Sequence, residues 1–148
     1  MSFVDETAKG QLPPFPKSLG IEAVVSEPGH VELRLKLRPE LLNGGGTAHG
    51  GVIASLIDTA VGQATSLLGG EGRQGSVTLS LTVNFIGPVG LGGELYAVAR
   101  VRGGGRSSAF CECAVTDGDG ALVATGLSVM RQRPPKPSGG QPVVEGDG

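Results

Sequence analysis

Across residues 41–70 the chain carries one ionised side chain, Asp58, and it falls in the most apolar segment of the sequence. Val52, Ile53, Leu56, Ile57, Ala60, Val61, Ala64, Leu67 and Leu68 recur at helical spacing and cover most of the circumference of a helix over residues 50–68. Gly69 and Gly70 follow it, as glycine commonly does at a helix C-terminus. A helix this apolar must be buried on nearly every side. A single antiparallel sheet wrapped round it would achieve that, and so would a partner subunit.

The rest of the chain supplies strands. Residues 31–38 alternate strictly between apolar and polar, the pattern of a half-buried strand. Residues 19–27 read as its hairpin partner, turning at Pro28-Gly29. Over residues 76–86, Val77, Leu79, Leu81, Val83 and Phe85 alternate with Thr78, Ser80, Thr82 and Asn84, which predicts one long strand with those apolar residues on one face. Three further strands are expected at 94–102, 107–116 and 121–131, separated by turns at 103–105 and 117–120. Residues 19–133 therefore form one domain without an internal linker. Residues 1–18 are a Pro-punctuated lead-in with one helical turn at residues 5–9. Residues 134–148, with four Pro and four Gly, read as a disordered tail.

Composition narrows the class. A length of 148 residues suits one domain, and 39% hydrophobic against 18% charged residues is too apolar for a disordered chain. The net charge of −2 argues against a broad nucleic-acid surface. Two cysteines, Cys111 and Cys113, make no disulfide scaffold and lie too close for an ordinary bridge; they read as small buried fillers. No apolar run is long enough to span a membrane, and residues 1–10 hold Asp5 and Glu6 without the apolar core of a secretory signal, so a soluble cytoplasmic protein is expected. With 27 Gly and only 3% aromatics, a core of small side chains is expected to need help from oligomerisation.

Asp58 shares a narrow polar or small stripe of the helix with Ser55 and Gly62. Burying an unpaired carboxylate costs roughly several kcal/mol unless donors surround it or its pKa rises. Asp58 is thus either a functional carboxylate or a residue facing a solvent gap. The segment before it, Asn43-Gly-Gly-Gly-Thr-Ala-His-Gly-Gly51, is too Gly-rich for regular structure and leads straight into the helix. Gly50 and Gly51 then lie in the first turn, where amide N–H groups lack intrahelical acceptors and the macrodipole is positive. A ligand oxygen can approach them closely. The nine residues from His49 to Asp58 correspond to roughly 13–14 Å of helical rise. One helix cannot bring both ends to one reacting carbon, so if the amides and Asp58 act together a second copy must supply one of them, as an antiparallel helix pair across a two-fold axis would.

Asn43, then His49-Gly50-Gly51 six positions on, then Asp58 nine residues after the histidine, resembles the hot-dog-fold acyl-CoA thioesterases of the phenylacetate-pathway (PaaI-type) and human-type group. The resemblance covers residues 19–133. It implies an α+β hot-dog fold: one long central helix wrapped by an antiparallel sheet of five to six strands. It also implies hydrolysis of acyl-CoA to free acid and CoA, without a metal or organic cofactor, in a homodimer or homotetramer with sites shared between chains. Asp58 matches the general base or nucleophile, the Gly50 N–H the oxyanion donor, Asn43 the residue that orients the thioester carbonyl or water, and His49 a supporting polar group. Thr78 falls where a hydroxyl assists, with Ser76 and Ser80 close enough to confuse the assignment. Phe85-Ile-Gly-Pro88 looks like the family's aromatic-x-x-Pro strand end, and the resemblance implies that Phe85 and Pro88 contact coenzyme A. Gly105, Arg106 and Ser107 resemble a hairpin that contacts coenzyme A, and Arg131 lies where another such contact occurs.

Plainer readings stand beside these. His49 would cap the helix, Asn43 would be a turn residue, Thr78 an outward strand threonine, and Arg100, Arg102 and Arg106 an exposed charged turn. The G-x-G-x-x-G at residues 70–75 follows a helix and precedes a strand, the reverse of a dinucleotide fingerprint. Two other functions fit the same residues: a non-catalytic acyl-CoA-binding sensor, and a hydratase on the same fold. Saturable binding without thiol release would mark the first, and water addition to an enoyl-CoA the second.

Overall fold

Pro14 and Pro16 lie in the first turn of a short helix, α1 (Pro14–Leu19), where a missing N–H breaks no helical bond. Gly20 closes α1 at φ 88°, a left-handed conformation suited to glycine, and donates to Lys17 O. The structure, a computed structural model, describes residues 12–70 and 75–133; the helical turn expected at residues 5–9 and the tail expected from residue 134 lie outside that range. Leu12 is 4% exposed and joins the core, so packing begins seven residues ahead of the domain start expected at Leu19.

Six strands follow: β1 (Glu22–Glu27), β2 (His30–Lys36), β3 (Ser76–Phe85), β4 (Glu94–Gly104), β5 (Ser108–Thr116) and β6 (Leu122–Gln132). A 3₁₀ turn, Pro39–Leu41, and the long helix α2 (Gly50–Leu67) separate β2 from β3. The strands form one sheet in the order β1-β2-β4-β5-β6-β3, and every pairing is antiparallel. This one long helix packed against a six-stranded antiparallel sheet is the hot-dog arrangement. No helix among the described residues is long and apolar enough to cross a membrane.

The composition explains how the sheet closes on the helix. Leu56, Ile57, Ala60, Val61 and Ala64 of α2 are fully buried against Leu33, Leu35, Leu95, Ala97, Ala99, Cys111, Cys113 and Val115. Small residues opposite the helix allow a close approach. A Cβ built on Gly126 would stand 2.6 Å from Ile57 Cγ2, so only glycine leaves room for that helix turn. Burying each Leu, Ile or Val contributes about 1.5–3 kcal/mol, and α2 supplies much of that apolar surface.

β3 departs from the single apolar face expected from its alternation. A bulge at Leu79 shifts the β3–β6 register between Thr78 and Ser80. An extra residue in a two-residue period exchanges the two faces. Ahead of the bulge Ser76 and Thr78 turn towards α2, while Val77 and Leu79 are 38% and 54% exposed. After it Leu81 and Val83 pack on the core.

Candidate active site

His49 is the N-cap of α2, the plainer of its two readings, and it takes up three of the four first-turn amides. Gly51 N–H donates to His49 Nδ1 at 2.9 Å, and Val52 and Ile53 N–H both donate to His49 O, at 2.9 and 3.2 Å. With Nδ1 accepting, a neutral ring carries its proton on Nε2. The Gly50 N–H finds no acceptor among the described residues. It is a free donor at the positive end of an 18-residue helix.

Asn43 holds the loop that delivers this helix start. Its Oδ1 accepts from Gly45 N–H at 2.9 Å and Thr47 N–H at 3.1 Å, and its Nδ2 donates to Thr47 Oγ1 at 3.0 Å. The loop is then fixed to its surroundings by Ala48 N–H donating to Val89 O and His49 N–H donating to Leu41 O. The carbonyl oxygen of Asn43 is committed to its own turn.

Asp58 lies on the half-buried stripe of α2 with Ser55, Thr59 and Gly62. The hydroxyls of Ser55 and Thr59 donate back to the helix, to Gly51 O and Ser55 O, each at 2.7 Å. Asp58 instead reaches another element: Thr78 Oγ1 donates to its Oδ1 at 2.6 Å. Its other oxygen accepts no hydrogen bond among the described residues. The three candidate hydroxyls are thereby separated. Ser76 donates to Gly62 O at 2.9 Å and receives from Ser66, Ser80 is exposed, and Thr78 holds the carboxylate. The bulge at Leu79 aims Thr78 inward, and neither composition nor alternation marks it.

The remaining candidates divide between the two ends of the sheet. Phe85 lies beside Gly50, and the exposed Pro88 follows on the strap to Val89. At the opposite end, Gly105, Arg106 and Ser107 form the exposed β4–β5 turn, where Gly105 N–H donates to Ser108 O at 3.0 Å. Exposed Arg131 pairs in register with Ser108 on one side and Val77 on the other. Among the described residues Arg100, Arg106 and Arg131 make no ion pair, whereas Arg102 pairs with Glu112. Within one chain, Gly50 and Asp58 are eight residues apart on α2, about 12 Å along its axis.

The cysteines stand apart from this site. Both are 3% exposed; Cys111 Sγ shares a hydrogen bond with Thr65 Oγ1, and burial pushes the Cys113 thiol up to about 12. Among the described residues no group of three or more His, Cys, Asp or Glu is placed to hold a metal ion.

This geometry has counterparts among known proteins. The family model described as thioesterase superfamily matches residues 45–124, from the loop before α2 into β6. Acyl-coenzyme A thioesterase 13 from Homo sapiens is 32% identical over 114 residues, spanning 76% of this chain and 80% of that protein. Acyl-coenzyme A thioesterase PaaI from Escherichia coli (strain K12) is 29% identical over 108 residues, spanning 73% of this chain and 74% of that protein. A solved structure of a hypothetical thioesterase protein with coenzyme A, from Streptococcus pneumoniae TIGR4, superposes with a TM-score of 0.72 at 25% identity, covering 79% of this chain and 91% of that one. The family match spans more than half of the sequence and includes both the free helix-start amide and the helix carboxylate: the chain belongs to the thioesterase superfamily.

Proposed function

We propose that this protein hydrolyses acyl-CoA thioesters to the free acid and CoA at a site assembled from two copies of the chain. The observation that carries the reading is the pairing of unmet needs on α2. Among the described residues the Gly50 N–H lacks an acceptor and one oxygen of Asp58 lacks a donor, yet one chain holds them about 12 Å apart. Two antiparallel copies of the helix related by a two-fold axis bring Gly50 of each chain opposite Asp58 of the other. β3 supports that pairing: it is an edge strand with an open backbone ladder and carries exposed Val77 and Leu79. The names of the relatives and the coenzyme A in the Streptococcus structure support the substrate class.

In this reading the thioester carbonyl oxygen accepts from the Gly50 N–H. Asp58 of the other copy either removes a proton from a water that attacks the carbonyl carbon or attacks that carbon itself. Thr78 holds one carboxylate oxygen, leaving the other aimed at the reacting atoms. The carbonyl becomes an oxyanion facing the helix-start amide, a preformed donor worth roughly 10²–10³ in rate. The oxyanion collapses and the C–S bond breaks. On the general-base route the CoA sulfur takes up the proton that Asp58 removed from water. On the nucleophilic route CoA leaves as a thiolate that is protonated from solvent, and a water then cleaves the acyl-Asp58 anhydride to free acid and carboxylate. His49 fixes the helix start and Asn43 the loop before it. Arg106, Ser107 and Arg131 meet the phosphates of CoA, with Gly105 forming the turn. CoA is the only cofactor-like group, and it arrives as substrate.

The test is thiol release from a panel of CoA esters. The unaltered protein is expected to release CoA, and Asp58→Asn to lose at least about 10²-fold in kcat while keeping its fold. Unchanged turnover in Asp58→Asn contradicts the assignment.

A further inference from the structure

We infer that Ser76 is a positioning residue for Asp58: by tying the start of β3 to α2, it holds Thr78 within reach of the carboxylate. The inference rests on the thioesterase reading above and deepens it with a residue whose hydroxyl bonds the helix backbone and not the carboxylate.

Within the chain β3 is an edge strand, paired with β6 alone. After the bulge its inward residues Leu81 and Val83 pack on the core, and apolar burial pins that half of the strand. Ahead of the bulge the inward side chains are Ser76 and Thr78, so hydrogen bonds must do what burial does further on. Ser76 Oγ donates to Gly62 O at 2.9 Å. Ser66 Oγ, on a buried residue of α2, donates in turn to Ser76 Oγ at 3.1 Å, which leaves the Ser76 proton for the helix carbonyl. Gln132, the cross-strand partner of Ser76, donates from Nε2 to Thr65 O at 3.0 Å, so β6 is tied to the same stretch of helix.

The spacing makes Ser76–Gly62 and Thr78–Asp58 successive rungs between the same two elements. Thr78 follows Ser76 by two residues, about 6.6 Å along a strand. Asp58 precedes Gly62 by four, about 6 Å along a helix. The strand thus ascends as the helix descends, in matching steps, and both bonds form together. The rungs differ in stiffness. Ser76 grips a backbone carbonyl inside α2, which cannot swing away. Thr78 and Asp58 meet through two side chains, each with rotamers to choose from. The backbone rung therefore sets the separation of β3 from α2, and the side-chain rung closes at the distance it sets. Without the Ser76 hydroxyl, the first residues of an edge strand lose their own tie to the helix, and Thr78 keeps only the bulge to aim it.

The experiment measures kcat and KM for CoA release by the full chain, with the ester it hydrolyses fastest, together with a melting curve for each variant. Ser76→Ala is expected to lower kcat about 5- to 10-fold with KM within about 2-fold, and Ser76→Thr, which keeps the hydroxyl, to stay within about 2-fold of the parent. Ser76→Cys, nearly the same size with a weaker donor, should shift kcat in the same direction as alanine, and it is the variant read if Ser76→Ala does not fold. In a Thr78→Val background the same Ser76→Ala change is expected to cost less than about 2-fold in kcat, because no Thr78 bond remains to be aimed. Unchanged kcat in Ser76→Ala, with or without a lowered melting temperature, overturns the inference. So does an equal fall in both backgrounds, or a Ser76→Thr variant as slow as the alanine one. Each of these leaves the thioesterase reading intact. Failure of the unaltered chain to release CoA from any ester overturns the reading itself, and the inference with it.

Discussion

Thr78 Oγ1 donates a 2.6 Å hydrogen bond to Asp58 Oδ1, joining an edge strand to the carboxylate of the buried helix. A hydrogen bond to a charged group is worth about 1.5–3 kcal/mol. If that bond aims the free carboxylate oxygen at the reacting atoms, losing it misplaces the catalytic group. Thr78→Val keeps the shape and removes the donor. Its kcat for CoA release should fall about 10- to 100-fold, whereas Thr78→Ser should stay within a few-fold of the parent. Steady-state kinetics on the two variants check this, and equal effects would assign Thr78 to packing.

Gly50→Pro removes the helix-start donor directly. Proline is well tolerated at the first helical position, and His49, at φ −61° and ψ 136°, already has the extended conformation that a following proline requires. The added ring meets Phe85, which is exposed and free to shift. The variant should fold with a normal melting curve and lose about 10²–10³ in kcat.

Gly126→Ala tests how closely the sheet approaches α2. The new methyl would stand 2.6 Å from Ile57 Cγ2, and Ile57 is fully buried. Overpacking of this kind costs about 1–3 kcal/mol, which urea denaturation should register as a lowered midpoint.

Cys113 should be chemically silent in the folded protein. Burial holds its thiol up to about 12, so the thiolate that attacks disulfide reagents is scarce at pH 8. Thiol titration of the native protein at that pH should give little reaction at Cys113, and denaturant should release it. Rapid native labelling of Cys113 would contradict the packing of β5.

The central helix and its carboxylate were legible because charge is absent around them: a lone Asp58 on an apolar helix after a Gly-rich lead-in stands out in a single sequence. The free amide of Gly50 was legible for the same reason, since Gly-Gly after a capping residue marks an open helix start. Thr78 was not separable from Ser76 and Ser80. The bulge at Leu79 exchanges the faces of β3, and alternation alone places Val77 and Leu79 inside and Thr78 outside. Leu12 was missed because a solitary leucine among prolines carries no periodic signal, although it packs into the core. The role of Asn43 as loop builder depends on its contacts with Gly45 and Thr47, which are set by a turn and not by spacing.

Co-expression of Asp58→Asn with Gly50→Pro tests most directly whether the carboxylate and the amide come from different copies. Each variant alone should be inactive. Random pairing makes half of the dimers mixed, and each mixed dimer regains one intact site of two, so the mixture should recover about a quarter of the parental activity per chain. Activity no higher than that of the separate variants, in a mixture shown to contain mixed dimers, would mean that both groups act within one chain and would contradict the account.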